Sequence, residues 1–94
     1  MTSADLDVKA MYQRKDVLST QVDDDLIIFD EEQGMYFTTN GIGVVIWDLL
    51  EAPMSAEALC EALYEKYDVG LSQCRDDTQR FLLQMIASKL IHPI

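Results

Sequence analysis

Few residues in this 94-residue chain are of a type that could do chemistry, and their spacing does not suit it. Catalysis needs a nucleophile beside a base, paired carboxylates in a pocket, a glycine loop that cradles phosphate, or a metal cluster. Asp23-Asp24-Asp25 is the densest carboxylate run, yet it lacks the alternate spacing and closing Glu of a calcium loop and reads as a solvated turn. Asp76 and Asp77 are expected in the first turns of a helix, where they complement its dipole. His92 lies too near the C-terminus to be held as a base or ligand, and its expected role is at the surface. Gly41 and Gly43 flank a helix start, but no GxGxxG pattern or P-loop Lys accompanies them. Cys60 and Cys74 fall fourteen residues apart at apolar helical positions with no CxxC, so they read as two small buried hydrophobes in a reducing compartment. A metal site would need more ligands than the sequence offers. The expectation is no catalytic residue, no metal, no cofactor and no enzyme.

Binding remains. A chain of this length makes one domain with a modest core and little room for an enclosed active site and its supporting shell. Lys plus Arg number 7 against 17 Asp plus Glu, a formal charge of −10. Such a surface repels phosphate backbones, which argues against nucleic acid and for a basic peptide or a basic face on a partner enzyme. No signal-type segment precedes the domain and no apolar run is long enough to cross a bilayer, so a soluble, cytoplasmic protein without a membrane partner is expected.

The elements that would present a binding surface follow from periodicity. Residues 1–12 read as a flexible tail and 13–94 as the domain. Val17 to Val22, Leu26 to Asp30 and Met35 to Thr39 read as three strands joined by the Asp23–Asp25 turn and by Glu31-Glu32-Gln33-Gly34, with Gly34 supplying positive φ. Asn40 is expected to cap a first helix reaching about Glu51, where Ala52-Pro53 stops it. Ser55 caps a second helix ending near Asp68, and a third runs from Gly70–Ser72 to about Lys89. The predicted fold is α+β: a three-stranded antiparallel meander followed by three helices, winged-helix-like in outline. Its third strand, Met35, Tyr36, Phe37, Thr38 and Thr39, sits at an edge with no Lys, Pro or Gly to blunt it. On the third helix Cys74, Thr78, Phe81 and Met85 form a core stripe, while Leu82, Leu83, Ile86 and Leu90 widen the apolar arc to about 200° where about 100° would suffice. One flank is therefore spare, opposite Arg80, Gln84 and Ser88. An extended peptide could pair with the edge strand and place side chains against that flank. The candidate peptide-binding residues are Met35, Tyr36, Phe37, Thr38 and Thr39 with Arg75, Gln79, Leu82, Leu83 and Ile86.

Tyr36, Asn40, Gly43, Ile46, Trp47, Leu49 and Leu50 resemble the Tyr-x-x-Leu-Asn-x-x-Gly-x-x-Ile-Trp-x-Leu-Leu pattern of the family named after pyrroloquinoline quinone biosynthesis protein D, the RiPP recognition elements. Pro53-Met-Ser55, Tyr67-Asp68-Val69, Asp77, Phe81-Leu82, Met85 and Leu90 extend the resemblance over roughly residues 15 to 92. Thr39 stands where the family has Leu, and Lys89 where it has a Gly suited to a left-handed helix end. The resemblance implies capture of the leader of a ribosomally made precursor peptide and its delivery to a leader protease and a modifying enzyme. The stand-alone element of lasso-peptide clusters, working beside a cyclase, is the nearest type. Partnership with a radical enzyme is the sister possibility. A winged-helix-like regulator is the other class, disfavoured for DNA by an acidic hairpin and by a third helix whose Arg75, Arg80 and Lys89 are offset by Asp76 and Asp77.

Overall fold

In the computed structural model, which describes residues 7–66 and 70–94, two small antiparallel sheets and three helices share one core. The strands are β1 (Met11–Arg14), β2 (Leu18–Val22), β3 (Asp25–Asp30), β4 (Met35–Asn40), β5 (Met54–Ser55) and β6 (Ile91–Pro93), and the helices are α1 (Ile42–Leu49), α2 (Ala56–Lys66) and α3 (Leu71–Ala87). The larger sheet has the order β2-β3-β4, consecutive strands joined by tight turns. Asp23 at φ 56 and Gly34 at φ 67 take the left-handed conformation those turns require. Leu26, Ile28 and Phe37 turn inward to the core, and Phe29 and Tyr36 point to solvent, as the two-residue period of a half-buried sheet demands.

The second sheet, β5-β1-β6, was not anticipated. Its central strand takes in Met11 and Tyr12, which sequence reading assigned to a tail; Tyr12 is buried, and only residues 1–6 of that tail lie outside the described residues. Each strand is too short to show a period, and its partners are remote: Met11 faces Ser55, and Gln13 faces His92. The pairing is tertiary in origin. Main-chain bonds from Arg14 to Leu50 (2.9 Å) and from Lys15 to Leu90 (2.8 Å) continue it, and the Arg14 guanidinium lies over the buried Trp47 ring at 5.4 Å.

Helix starts differ from expectation in one place. Asn40 does not cap α1: it ends β4, and its side-chain amide donates to Asp25 Oδ1 at 3.4 Å. Gly41, with φ 60 and ψ −129, makes the corner instead, a conformation open to glycine and closed to asparagine. Ser55 does cap α2, its hydroxyl accepting from the Ala58 amide at 3.1 Å. The Tyr67-Asp68-Val69 exit lies outside the described residues. Helix α3 begins at Leu71, so Asp76 and Asp77 sit beyond its first turn and the dipole explanation fails; Asp77 instead accepts from Gln73 at 3.1 Å and pairs with Arg80 at 3.5 Å. At its far end the Lys89 amide bonds the Ile86 carbonyl and the Leu90 amide bonds the Met85 carbonyl, the two bonds of a Schellman motif. Lys89 holds the left-handed position at φ 60, without glycine's freedom there.

The core is drawn from every helix and both sheets: Trp47, Ile46 and Leu50 from α1 and its end, Leu59 and Leu63 from α2, Cys74, Leu82 and Met85 from α3, and Ile28 from β3 are all buried. Cys60 and Cys74 are free buried thiols, and burial pushes the Cys60 thiol up from its ordinary pKa.

Candidate peptide-docking site

Among the described residues β4 is paired on one side only, through β3 in the register Leu26 to Thr39, Ile28 to Phe37 and Asp30 to Met35. Its other edge carries unpaired backbone donors and acceptors. Met35 and Tyr36 are exposed, Phe37 and Thr39 are half-buried, and Thr38 faces water. The edge is kept in place from its two ends. Gln33, in the β3–β4 turn, donates both to Asp30 Oδ2 at 2.6 Å and to the Ser88 carbonyl at 2.9 Å, which fastens the turn to the end of α3. Asp30, itself buried, also accepts from Lys15 at 3.1 Å and from the Glu32 amide at 3.1 Å. The Gln33 amide, with Lys15 behind it, holds the Asp30 carboxyl below the ordinary carboxylate range against the opposing effect of burial. At the other end α1 approaches β4 so closely that a Cβ on the buried Gly43 would collide with Thr39 Oγ1 and come within 3.0 Å of the Phe81 ring. Gly43 is there for contact, not for phosphate.

Between β4 and α3 runs a groove. One hollow of about 200 Å³ is bounded by Thr39, Asn40 and Gly43 on one bank and by Asp77, Arg80, Phe81 and Gln84 on the other. A narrower one follows at Met35, Phe37, Ser88 and Leu90. Of the predicted residues, Met35, Tyr36, Phe37 and Thr39 line these hollows, and Thr38 and the five on α3 do not. Arg75 and Gln79 look the other way, into a cleft against α2. Leu82 is fully buried in the core, Ile86 is packed against it, and Leu83 is half-buried; none of the three borders the groove. The groove's helix bank is the flank of Asp77, Arg80 and Gln84, the last two of which sequence reading placed, with Ser88, opposite the apolar arc. A helical wheel gives the width of the apolar arc but not its handedness relative to a distant strand. The usable signal was Phe81, the core residue nearest that flank.

The bank has its own electrostatics. Arg80, exposed, is the cation that lines the hollow beside Thr39 and Asn40, and its contact with Asp77 at 3.5 Å is loose. Gln84 adds an amide that can donate or accept. Among the described residues no three His, Cys, Asp or Glu side chains stand together as a metal site would require, and no helix is long and apolar enough to cross a membrane.

Fold and groove define a class, a small α+β domain in which the open edge of β4 is bordered by a helix. The family profile described as coenzyme PQQ synthesis protein D (PqqD) matches residues 25–91, from the start of β3 into β6, and the chain belongs to that family of RiPP recognition elements. Among solved structures it is similar to TbiB1 in complex with the TbiA(beta) leader peptide, with a TM-score of 0.75 and 27% identity over 85% of this chain and 94% of that one. No curated protein matches the chain.

Proposed function

We propose that this domain captures the leader segment of a ribosomally synthesised precursor peptide as an added strand on β4, and delivers the attached core segment to a leader protease and a modifying enzyme of the same pathway. The observation that carries the proposal is the unpaired β4 edge lying beside a groove, in a family whose structural neighbour holds a leader peptide. Strand addition draws affinity from main-chain hydrogen bonds and selectivity from the pockets that receive alternate side chains. Here Met35, Phe37 and Thr39 form one bank and Arg80, Phe81 and Gln84 the other. A leader side chain that descends at Thr39 meets Arg80, which suits an acidic or amide residue; one that descends at Phe37 meets a narrow apolar hollow. The domain acts by holding, without a cofactor. In a lasso-type pathway the recipients would be a separate protease and a cyclase; in a sister pathway a radical enzyme would take their place.

The test is titration of a labelled cognate leader against the protein and two variants. Binding is expected in the nanomolar to low-micromolar range, about −12 to −8 kcal/mol. Arg80→Ala with Gln84→Ala is expected to weaken it by about 1–3 kcal/mol, and Leu83→Ala, on the other flank, by less than about 0.5 kcal/mol. Absence of saturable binding below about 100 μM would sink the proposal.

A further inference from the structure

We propose that the cleft between α2 and α3 is a second docking site, separate from the β4 edge, and that its occupant is a basic amphipathic helix on a partner protein, with Lys or Arg one turn apart beside apolar residues. The cleft holds about 660 Å³ and opens on the flank of α3 turned away from the β4 groove. One wall is a ladder of carboxylates. Glu57, Glu61 and Glu65 follow at four-residue steps and so stand in a row along one face of α2, about 6 Å apart. All three are exposed, and among the described residues none is paired with a cation. Large apolar surface is also left facing the cleft: Tyr64 beside the ladder on α2 is 50% exposed and Leu71 on the α3 wall is 41% exposed, with Arg75 and Gln79 further along that wall. Beneath them Thr78, only 1% exposed, has a hydroxyl without an oxygen or nitrogen partner among the described residues and only the Cys60 thiol, a weak partner, against it. It is the polar group of the cleft lining that lacks a full partner.

The chemistry of the walls selects the occupant. Both are helices whose backbone groups are satisfied internally, so an extended peptide would find no ladder to join and would bury its own amides unpaired. A helix satisfies its own backbone and can lie in the trough between two others. Along such a helix, residues four apart rise about 6 Å, matching the glutamate ladder. The charge that fits is positive: three unpaired carboxylates against the single Arg75 leave the cleft net negative, and with −10 on the whole protein they disfavour an acidic partner and draw a basic one at long range. The site depends only on the cleft and is independent of leader binding at β4.

The test uses a fluorescein-labelled helical peptide of about 18 residues with Lys at every fourth position and Leu between, and the same peptide with Glu for Lys, followed by anisotropy and by amide shifts of the labelled protein. Expected are saturable binding of the Lys peptide alone, shifts confined to 57–65 and 71–79, and loss of affinity between about 50 and 300 mM salt. The combined variant Glu57→Gln, Glu61→Gln, Glu65→Gln should bind about tenfold more weakly. A control that removes equal charge elsewhere, Asp23→Asn, Asp24→Asn, Glu31→Gln, should bind within about twofold of the parent. All six positions are exposed, so both variants are expected to fold, as their melting curves will report. Equal weakening by both variants would reduce the effect to diffuse attraction and overturn the proposal, as would shifts centred on β4, equal binding of the Glu peptide, or no binding at all.

Discussion

Gly43→Ala probes the packing that shapes the groove, and its cost can be worked from the structure. In a helix this exchange ordinarily gains up to about 1 kcal/mol, because alanine loses less backbone freedom on folding. Here the new methyl would meet Thr39 Oγ1 directly and the Phe81 ring at 3.0 Å, so β4 and α3 must move apart or Thr39 must leave its rotamer. Overpacking of that kind costs about 1–3 kcal/mol. The balance is a net loss of about 1–2 kcal/mol, and in a domain of this size each kcal/mol is worth about 4–8 °C in Tm. The obstruction is mainly the Thr39 hydroxyl, so the same substitution in a Thr39→Ala background should be close to neutral or stabilising, a coupling of about 1–2 kcal/mol between the two sites. Thermal and urea unfolding of the four proteins, followed by far-UV circular dichroism, measures the cycle. If Gly43→Ala is as stable as the parent, or if its cost is unchanged without the Thr39 hydroxyl, the close approach of α1 to β4 is not what holds the groove.

Two further outcomes follow from the frame around the site. Lys89→Gly relieves a left-handed residue at the end of α3 and should stabilise the domain by about 1 kcal/mol, read from the urea midpoint at unchanged slope. Asp30 gives a pH dependence with a definite sign. Its folded-state pKa is depressed by Gln33 and Lys15, so its contribution is fully present above the ordinary carboxylate pKa near about 4 and is lost as pH falls through the lower folded value. Lys15, raised chiefly by Glu32 and then Asp30, loses its contribution only as pH climbs through its folded value at the alkaline end. The Tm gap between the parent and Asp30→Asn should therefore be constant near neutrality and close as pH drops from about 5 to 2; a gap that widens on acidification contradicts the assignment.

Much of this was legible because local chemistry and tertiary demand agree. Gly34 and the Asp23–Asp25 turn set the three-strand sheet, Ser55 set the start of α2, and the Cys74, Thr78, Phe81, Met85 stripe set the face of α3 that enters the core. What stayed hidden depended on partners far along the chain. The strand Met11–Arg14 has no pattern of its own and exists because Met54–Ser55 and Ile91–Pro93 flank it. Asn40 has the right type for a cap, but a ladder position opposite Asp25 took it and left the corner to Gly41. The excess apolar arc of α3 was real, yet it went to the core through Leu82 and Ile86 and not to the groove, whose helix bank is the polar Arg80 and Gln84. Width can be read from a sequence; which flank faces a strand on another element cannot.

The central claim is strand addition at β4, and amide exchange of this edge tests it most directly. With saturating leader peptide, alternate amides between Met35 and Thr39, those on the unpaired side of the ladder, should slow by about tenfold or more as they gain partners, while amides of β2 and of the Asp23–Asp24 turn keep their rates. Protection gained on the β2 edge, or on α2 with β4 unchanged, would contradict the account.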